Sequence, residues 1–517
     1  MNQKSAPAIF LDRDGTLIED VGVLSVPEQI HLFPDTVAAL LSLQQKYLLF
    51  VVTNQPGIAQ GKLSPEQVDQ VNQHLAALLK HHGVSIRQWY VCPHERADRC
   101  QCIKPNPTFL LQAAKDFNLS LHESFFIGDH PHDVMAGEAV GAFGLYLLTG
   151  HGRKHLDTLP PESLVFHTLG DAAMWIADHP THRAYLHDAI RAGAEAIRRG
   201  GLVVFPTETV YGLGADALNP SAVARIFDVK QRPLHDPLIV HVSDRQQVQL
   251  LVTELPEQAE TLIEHFWPGP LTLVLPKSPQ VPDIVTAGNH TVAIRMPANP
   301  WALELIRLAG VPIAAPSANR FGRTSPTTAR HVQDQLSGHY DVLIDGGACR
   351  VGIESTVLSL VGKRPVLLRP GGVAPDDIEA LIGPVQHGYA AKATGDKLAS
   401  PGLMPKHYAP STPLVVVEDV GPYATRRDVG VIVFQGSPHT FAGPVECLSQ
   451  NGDLREAASN LYRAMRTLDG LGLSLIVAEH VPNTGLGVAI NDRLNKAASQ
   501  SGSHFPPKST LPTAEPA

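Results

Sequence analysis

The sequence predicts an α/β protein with three globular domains. Three features of the 517-residue chain predict this fold class. Short β-rich runs alternate with helical stretches in the first 180 residues, strands dominate the middle of the chain, and an amphipathic helix marks a small region near the end. The length suits roughly three domains of ordinary size. Hydrophobic residues form 44% of the chain and charged residues 18%, which is the composition of a globular protein.

Residues 1–180 form the first predicted domain. The runs Ala8–Leu11, Leu48–Val52 and Ser124–Ile127 are each followed by polar residues and glycine. This alternation of strand and helix is typical of a parallel, Rossmann-like sheet covered by helices. A polar stretch rich in histidine, His179–His187, is expected to separate this domain from the next.

Residues 185–385 form the second predicted domain, a mixed α/β domain around a large twisted sheet. Seven apolar runs predict its strands: Leu202–Phe205, Leu271–Leu275, Val292–Met296, Val311–Ala315, Val342–Ile344, Val357–Leu360 and Val366–Leu368. Helical segments lie between some of these runs. Residues 386–412 contain glycine, proline and lysine, and they are expected to form a linker.

Residues 413–500 form a small third α/β domain, whose clearest element is a helix. Asp453 and Glu456 make a capping-box arrangement at its start. Its apolar residues recur at spacings of four and three and form one face: Leu454, Ala458, Leu461, Met465 and Leu468. The Ser/Pro-rich residues 501–517 are expected to be a disordered tail.

The composition argues against several classes of protein. No window approaches the roughly 20 apolar residues that span a bilayer, and Met1–Pro7 are too polar for a signal peptide, so we expect a cytoplasmic protein without a membrane partner. Five cysteines are few for a disulfide framework. The formal charge of −9 argues against direct, tight nucleic-acid binding, which requires a basic surface.

Polar side chains follow three predicted strands of the first domain, at the edge where parallel sheets bind ligands. These residues are Asp12, Asp14, Thr53, Asp129 and Asp133. Carboxylates grouped in this way suit Mg²⁺, and one of them could attack phosphorus while a neighbouring acid protonates the leaving oxygen. Thr53 and Lys104 supply a hydroxyl and a cation for the transferring phosphoryl group.

These motifs, taken in order, resemble the haloacid dehalogenase phosphatase superfamily, whose signature is Asp-x-Asp-Gly-Thr after the first strand. The roles that the resemblance implies are Asp12 as nucleophile, Asp14 as general acid and base, Thr53 and Lys104 as phosphate binders, Asp12, Asp14 and Asp129 as Mg²⁺ ligands, and Asp133 as support for the metal shell. The alternative is a phosphatase domain that is an inactive structural partner. Intact Asp12 and Asp14 disfavour that alternative.

A second cluster in the first domain has the spacing of a metal site. Cys92, His94, Cys100 and Cys102 fall within eleven residues, and C-x-H-x₅-C-x-C offers four ligands for a tetrahedral structural Zn²⁺. Free thiols beside a chance histidine are the alternative. The same loop resembles the branch of the superfamily that contains histidinol-phosphate and heptose-bisphosphate phosphatases.

Two positions depart from the pattern of that branch. It commonly has arginine before the lysine, where this chain has Ile103, and a basic residue after the metal aspartate, where this chain has His130. An apolar Ile103 cannot hold a second phosphate. The resemblance therefore implies a phosphatase for a small phosphorylated metabolite, without identifying that metabolite.

The second domain has cations embedded among apolar residues. Those that lie near strand or turn boundaries are Lys230, Arg232, Arg295 and Arg369. Burying a cation is costly unless an anion pairs with it, so their convergence on one site would suit a triphosphate. Ser317 and Asn319 would then be hydrogen-bond partners. For any one of the four cations, a surface ion pair is the alternative.

The region from about 190 to 375 closely resembles the YrdC-type threonylcarbamoyl-AMP synthase domain. The motifs that carry this resemblance are Phe205–Gly214, Lys230–Pro233, Pro237–His241, Val292–Pro297, Ser317–Asn319, Gly352–Thr356 and Arg369–Gly371. Ser400–Pro410 and Gly485–Arg493 resemble the longer, two-domain form of that enzyme.

The resemblance implies that L-threonine, bicarbonate and ATP, with Mg²⁺, give threonylcarbamoyl-AMP and pyrophosphate. The product would pass to a tRNA-modifying threonylcarbamoyl transferase. The residues implied for ATP are Lys230, Arg232, Ser317, Asn319, Ser325 and Arg369, with Thr291 near the nucleotide. The residues implied for threonine or its carbamate are Thr207, His241, Arg295 and Ser355. Tyr408 in the linker is expected to close over the pocket as a lid.

Two other functions are compatible with a YrdC-like domain. One is an RNA-binding module, against which the acidic balance and the lack of interleaved aromatic residues count. The other is a carbamoyl transferase for metallocentre maturation. Such proteins carry acylphosphatase and zinc-finger regions that this sequence lacks.

Overall fold

A computed structural model shows two compact α/β units. One unit comprises Met1–His187 with Gly346–Ala348, and the other comprises Asp188–Asp345 with Cys349–Ala517. The structure describes residues 5–160, 163–178, 182–388, 407–436 and 440–498. The predicted tail and most of the predicted linker lie outside these residues. Within the described ranges, no helix has the length and apolar character that crossing a membrane requires.

The first unit has one six-stranded sheet in which all strands are parallel. Its strands are β1 (Ala8–Leu11), β2 (Leu48–Asn54), β3 (Ile86–Cys92), β4 (Phe125–Gly128), β5 (Phe143–Leu147) and β6 (Leu164–Phe166), in the order β3-β2-β1-β4-β5-β6. Its helices are α1 (Thr36–Leu43), α2 (Pro65–His81), α3 (Thr108–Phe117), α4 (Pro131–Glu138) and α5 (Leu169–Asp178). This is the predicted parallel sheet covered by helices.

Aromatic packing holds the central strands of this unit together. Phe10 on β1 stacks on Phe50 of β2 with ring centroids 5.4 Å apart, and it contacts Phe126 of β4 at 6.2 Å. All three rings are fully buried. Because the strands run parallel, the residues that follow β1, β2 and β4 meet at one edge of the sheet.

The second unit is built on a ten-stranded mixed sheet. Its strands are β7 (Val203–Phe205), β8 (Gly212–Asp216), β9 (Ile239–His241), β10 (Leu271–Pro276), β11 (Thr291–Arg295), β12 (Ile313–Ala314), β13 (Val342–Leu343), β14 (Thr356–Ser359), β15 (Val366–Arg369) and β16 (Gln386–His387), in the order β13-β7-β8-β12-β9-β11-β10-β14-β15-β16. Its helices are α6 (His182–Arg198), α7 (Pro220–Lys230), α8 (Arg245–Leu251), α9 (Glu257–Phe266), α10 (Asp283–Thr286), α11 (Pro300–Ala309), α12 (Ala329–Leu336) and α13 (Pro375–Ile382). Part of the predicted separator is helical, since α6 begins at His182.

A smaller parallel sheet forms the last part of the same unit. Its strands are β17 (Leu414–Val417), β18 (Val429–Val433), β19 (Val445–Cys447) and β20 (Leu475–Glu479), in the order β17-β20-β18-β19, and its helices are α14 (Leu454–Asp469) and α15 (Gly487–Ala498). Asp453 caps α14 by accepting from the N–H groups of Arg455 and Glu456. The Glu456 carboxylate accepts from Ser449 Oγ, which in turn accepts from the N–H of Asp453, so Ser449 mediates the predicted capping box. The predicted three-part α/β architecture is confirmed.

Helix α14 packs closely against a loop of the large sheet at Gly352. A Cβ atom at Gly352 would lie 2.5 Å from Ser459 Cα, and the residue has a φ of +77°. We expect Gly352→Ala to destabilise the second unit by about 3 kcal/mol, because strain at positive φ adds to overpacking against a helix backbone. The measurement is the urea midpoint, together with hydrogen exchange of α14.

Gly472→Ala is the matched control for this substitution. Gly472 has a φ of +67°, but no atom lies within 4 Å of the position that a Cβ would take there, so the cost is limited to about 1 kcal/mol of backbone strain. Equal losses in the two variants would show that the contact with α14 contributes nothing.

Candidate functional sites

The first unit brings the predicted phosphatase residues together at one edge of its sheet. Asp12 follows β1, Thr53 is the sixth residue of β2, and Asp129 follows β4. Asp133 lies in the first turn of α4, and it accepts from the backbone N–H of His130 at 3.0 Å. The carboxylates of Asp12, Asp129 and Asp133 lie within 4.8 Å of one another. Parallel strand order thus produces the grouping that the sequence predicts.

Lys104 connects two of these carboxylates. Its Nζ lies 2.6 Å from Asp12 Oδ1 and 2.6 Å from Asp133 Oδ1, and it donates to the carbonyl of Val52. Burial alone would lower the pKa of Lys104. The charges of the two carboxylates have a larger, opposite effect, so the pKa is raised overall. Burial raises the pKa of Asp12 to about 7; the charge of Lys104 opposes this shift, and Asp133 and Asp14 add to it. The site is rich in negative charge.

Glycines give Asp129 the space that it occupies. A Cβ at Gly15, whose φ is +77°, would lie 2.1 Å from Asp129 Oδ2, and a Cβ at Gly150 would lie 2.2 Å from the same atom. The backbone N–H of His151 donates to Asp129 Oδ2 at 2.6 Å. Burial, then Asp12 and Asp133, raise the pKa of Asp129 well above its ordinary value. An all-oxygen group with this surplus of negative charge fits Mg²⁺.

The carboxylate of Asp14 has different partners from those of the other three aspartates. Arg13, which is 1% exposed, donates to it through Nε and Nη2 at 2.9–3.2 Å, and Gln55 Nε2 donates to Asp14 Oδ2 at 2.8 Å. Gln55 also donates to Thr53 Oγ1 at 2.9 Å. Sequence reasoning assigned no role to Arg13, which lies between Asp12 and Asp14, or to Gln55, which lies two positions after Thr53.

Histidines line one side of an open cleft of about 640 Å³ that contains these groups. The His130 ring lies 4.3 Å from the His132 ring and 4.6 Å from that of His155. Burial, then the charges of His132 and His155, lower the pKa of His130 to about 3. Arg96 donates to His132 at 2.8 Å, and Ile103 also lines the cleft. The two departures from the family pattern are therefore part of the cleft wall.

The four predicted zinc ligands form one cluster. The Sγ atoms of Cys92, Cys100 and Cys102 are 3.3–3.7 Å apart, and His94 Nδ1 lies 3.3 Å from Cys102 Sγ and 3.8 Å from Cys92 Sγ. A Zn–S distance of about 2.3 Å places tetrahedral ligands at about this separation. The residues present therefore fit a four-coordinate zinc ion.

The second unit has a small, partly open cavity lined by predicted site residues. Eight of them contribute to its wall: Thr207, Arg232, His241, Arg295, Ser317, Ser355, Arg369 and Tyr408. They follow or end strands β7, β9, β11, β12 and β15, or precede β14, apart from Arg232, which follows α7, and Tyr408. The cavity holds about 50 Å³ in this structure.

Two cations near this cavity lack a carboxylate partner within the described ranges. Lys230 Nζ donates to the backbone carbonyls of Ser317 and Asn319, and Arg369 donates to the carbonyl of Ser355 at 2.9 and 3.1 Å and to its Oγ at 3.1 Å. Burial, then Arg232, lowers the pKa of Lys230 well below its ordinary value. Asp236 and Glu354 act on these two cations electrostatically, but neither carboxylate forms a direct ion pair with them in the described residues, so the site favours an anionic ligand.

The other two predicted cations have internal counterions. Arg232 Nη2 lies 2.8 Å from Asp236, and Arg295 Nη2 lies 2.6 Å from Glu208. Arg295 also donates to Thr209 Oγ1 at 2.9 Å. Sequence reasoning gave Glu208 no role, although it lies within the motif Phe205–Gly214. Its buried ion pair fixes the guanidinium of Arg295 against the cavity wall.

His241 pairs in register with Arg295 on the neighbouring strand, at the end of β9. Its ring packs edge-on against Phe205 at 6.0 Å, and within the described residues its Nδ1 is buried without a hydrogen-bond partner. Burial, then the charge of Arg295, lowers the pKa of His241 to about 3. The imidazole is therefore neutral at pH 7, and one ring nitrogen keeps a lone pair that can accept a hydrogen bond from the ligand.

Three further predicted residues lie outside the cavity wall. Asn319 donates to the carbonyls of Arg320 and Arg323, and Ser325 Oγ donates to Glu354, which lines the cavity. Thr291 begins β11, and Arg295 ends it. At about 3.3 Å per residue, Thr291 is about 13 Å along the strand from Arg295, so its predicted place near the nucleotide stays a prediction.

Tyr408 reaches the cavity from the segment that follows the undescribed residues 389–406. It is 1% exposed, and its φ of +67° is unusual for a residue other than glycine. Burial raises the pKa of its phenol to about 12. Tyr408 lines the cavity together with Arg232 and Arg369, and its closure over the pocket as a lid stays a prediction.

A cation-rich cavity at the edge of a mixed sheet is typical of a site for a polyanion such as a nucleoside triphosphate. The aspartate-lined cleft of the first unit is typical of a phosphate-transfer site. Residues 195–371 match a family model described as telomere recombination, residues 373–499 match the C-terminal domain of threonylcarbamoyl-AMP synthase, and residues 11–141 match haloacid dehalogenase-like hydrolases.

Individual proteins with these features are similar to the second unit. The threonylcarbamoyl-AMP synthase of Pyrococcus abyssi is 46% identical over 318 residues, which is 60% of this chain and 94% of that protein. The Bacillus subtilis enzyme of the same name is 43% identical over 335 residues, or 63% of this chain and 97% of that protein. The crystal structure of P. abyssi Sua5 complexed with L-threonine has a TM-score of 0.57 at 45% identity, covering 60% of this chain and 94% of that one.

The chain belongs to the threonylcarbamoyl-AMP synthase family, and its first unit is a haloacid dehalogenase-like hydrolase domain. The predicted fusion of two enzymes is thereby confirmed.

The depressed pKa of His241 predicts a pH dependence of stability. A histidine whose pKa falls from 6.5 in the unfolded chain to about 3 in the fold contributes stability above pH 6.5, and this stability is lost as the pH falls towards 3. Between pH 6.5 and 5 we expect this one group to cost the wild type about 2 kcal/mol. His241→Gln should therefore have a shallower pH dependence of unfolding free energy, measured by urea denaturation.

His290→Gln, at an exposed position of the same unit, is the control. Parallel pH profiles for the wild type and His241→Gln would show that His241 is not held neutral by the fold.

Proposed function

We propose that residues 188–498 join L-threonine, bicarbonate and ATP into threonylcarbamoyl-AMP, with release of pyrophosphate. The observation that carries this proposal is the pair of buried cations, Lys230 and Arg369, that have no carboxylate partner in the described chain beside the cavity. The threonine amine first captures CO₂ derived from bicarbonate. A carbamate oxygen then attacks the α-phosphorus of ATP, and the bond to the departing pyrophosphate breaks.

The triphosphate is assigned to the unneutralised cations. Lys230 and Arg369 would neutralise phosphate oxygens, and Arg232 would assist them despite its ion pair with Asp236. Ser317, Asn319 and Ser325 would hold the nucleotide by hydrogen bonds. Since no covalent enzyme intermediate is needed, positioning and cationic stabilisation account for the catalysis.

Threonine and its carbamate are assigned to the opposite wall. Arg295, fixed by Glu208, would pair with a carboxylate, and neutral His241 would accept a hydrogen bond from the ligand. Thr207 and Ser355 would supply hydroxyl groups. Threonine as the ligand is supported by the P. abyssi relative, whose crystal structure is named as a complex with L-threonine.

The cavity must open before ATP binds. Sites for ligands of this size have volumes of about 300–1,000 Å³, whereas this cavity holds about 50 Å³. His407 and Tyr408 are wall residues that belong to the predicted linker, and we assign the opening to movement of Tyr408, as a lid. The product would then leave for a tRNA-modifying transferase.

The first unit is proposed to hydrolyse a small phosphorylated metabolite. Asp12 Oδ would attack phosphorus as the bond to the leaving oxygen breaks, and Asp14, which Gln55 and Arg13 orient, would protonate that oxygen. Water, giving its proton to Asp14, would then attack the phosphorus and release phosphate from Asp12. Thr53 and Lys104 would hold the phosphoryl oxygens. Asp12 and Asp129 would hold a Mg²⁺ ion, which supplies positive charge against the phosphate when bound. We assign Asp133 to this group in place of the predicted ligand Asp14, because the Asp14 carboxylate accepts hydrogen bonds from Arg13 and Gln55.

One assay with two variants tests both activities against each other. We expect the wild type to release pyrophosphate from ATP only with threonine and bicarbonate, and to release phosphate from p-nitrophenyl phosphate only with Mg²⁺. Lys230→Ala should lower the first rate at least about 100-fold, because a buried charge on the transferring phosphate is lost, and should leave the second rate unchanged.

Asp12→Asn should have the reverse effect, which makes each variant the folding control of the other. Pyrophosphate release that is independent of threonine would overturn the synthase proposal. Phosphate release that survives Asp12→Asn would overturn the assigned nucleophile.

The cysteine cluster is proposed to bind structural zinc. We expect about one Zn²⁺ per chain in the wild type and a loss of most of it in Cys102→Ser, because three ligands bind zinc less tightly than four. The measurement is metal content by mass spectrometry, with the melting temperature of the first unit. Cys447→Ser, which changes a cysteine of the second unit, is the control, and equal zinc in both variants would refute the site.

A further inference from the structure

The last part of the second unit contributes two buried side chains that contact a residue of the cavity wall. Tyr462 lies on α14 and Arg493 on α15, and both are 0% exposed. They converge on Glu354, whose carboxylate lines the cavity. Neither residue has a role in the chemistry described above, although both are costly to bury.

Glu354 is fully engaged by this group. Its carboxylate accepts from Arg493 Nε at 2.7 Å, from the Tyr462 hydroxyl at 2.9 and 3.0 Å, and from Ser325 Oγ at 2.5 Å. Burial raises the pKa of Glu354, but the charges of Arg493 and Arg369 outweigh it and lower the pKa to about 2. Glu354 is thus an ionised anchor for Ser325, not a proton acceptor.

Arg493 also contacts Tyr408, the proposed lid residue. Its guanidinium lies 4.9 Å from the centroid of the Tyr408 ring, a cation–π distance, and the ring of Tyr462 lies 6.0 Å from the same ring. Asp492 at 2.6 Å and the carbonyl of Pro370 at 3.0 Å hold the rest of the guanidinium. The position of Arg493 is therefore fixed independently of Tyr408.

We infer that Tyr462 and Arg493 are positioning residues of the synthase site. They hold Glu354 so that Ser325 points correctly for the nucleotide, and Arg493 gives the phenol of Tyr408 its closed position. The small parallel-sheet domain is on this account a part of the active site. The inference rests on the proposed synthase function and adds two residues that act through others.

Tyr462→Phe is the sharpest test, because it removes one hydroxyl and keeps the ring. With full-length protein we expect the KM for ATP to rise about tenfold with kcat changed less than twofold, since one hydrogen bond to a charged group is lost. Arg493→Gln should lower kcat/KM for ATP about 100-fold, and Arg493→Lys should restore part of that loss by keeping the charge near Tyr408.

Arg463→Gln is the matched control on α14. Arg463 follows Tyr462 directly, is 30% exposed and pairs with Glu446 at 3.3 Å, away from the group around Glu354. It should have wild-type kinetics. The phosphatase rate of the first unit, measured on the same samples, should be unchanged in every variant.

A double-mutant cycle separates positioning from a purely structural role. Because Tyr462 and Ser325 donate to the same carboxylate, Tyr462→Phe and Ser325→Ala should be non-additive in the KM for ATP. Additive effects, wild-type kinetics of Tyr462→Phe, or a fall in kcat alone in proportion to the folded fraction would each overturn the inference. A wild type without threonine-dependent pyrophosphate release would instead overturn the proposed function.

If Arg493→Gln fails to fold, Tyr462→Phe and its cycle with Ser325→Ala still decide the question.

Discussion

Charge buried at the edges of sheets is the constraint on which both sites depend. A cation or carboxylate removed from water must be compensated by an opposite charge or by oriented dipoles. The two units satisfy this requirement in opposite ways. In the first, Lys104 faces three carboxylates, those of Asp12, Asp129 and Asp133, so negative charge is in excess. In the second, Lys230 and Arg369 are oriented by carbonyl and hydroxyl groups, so positive charge is in excess.

This difference in sign explains what each site requires from its ligands. A site with surplus carboxylates repels phosphate until a metal cation binds, and in the absence of one the raised pKa of Asp12 means that a proton relieves part of the repulsion. A site with surplus cations attracts a triphosphate directly. The same phosphate chemistry therefore needs a resident metal in the first unit, whereas in the second the protein's own side chains provide much of the positive charge.

Motifs that lie at strand ends were predictable from sequence, and long-range partners were not. Asp12, Thr53 and Asp129 follow or end strands, and the parallel order of those strands brings them together without further information. Local spacing likewise predicted the group of Cys92 and Cys102. Thr291 lies at the opposite end of β11 from Arg295, and its place near the nucleotide stays a prediction.

Arg13 and Gln55, which sequence reasoning missed, have partners within 41 positions, whereas the missed residues of the second unit have partners more than 80 positions away. Glu354 lies in the motif Gly352–Thr356, but its role depends on Tyr462 and Arg493, 108 and 139 residues further along the chain. A glutamate, a tyrosine and an arginine at such separations carry no periodic or spacing signal. They meet through tertiary packing: α14 lies against Gly352, where a Cβ would clash with Ser459, and α15 carries Arg493 to the same carboxylate.

The contact between Arg493 and Tyr408 joins two residues that are held in place to different degrees. Arg493 is held by Glu354, Asp492 and the carbonyl of Pro370, so separating it from this surface would break several charge-assisted hydrogen bonds. Tyr408 is held to Arg493 by a cation–π contact, and its backbone has the strained φ of +67°. Tyr408 is also held through its carbonyl, which accepts from Thr324 Oγ1 at 3.3 Å. On the proposed function, movement at Tyr408 therefore breaks fewer charge-assisted hydrogen bonds than movement at Arg493 would, and Arg493 supplies the fixed side of the contact.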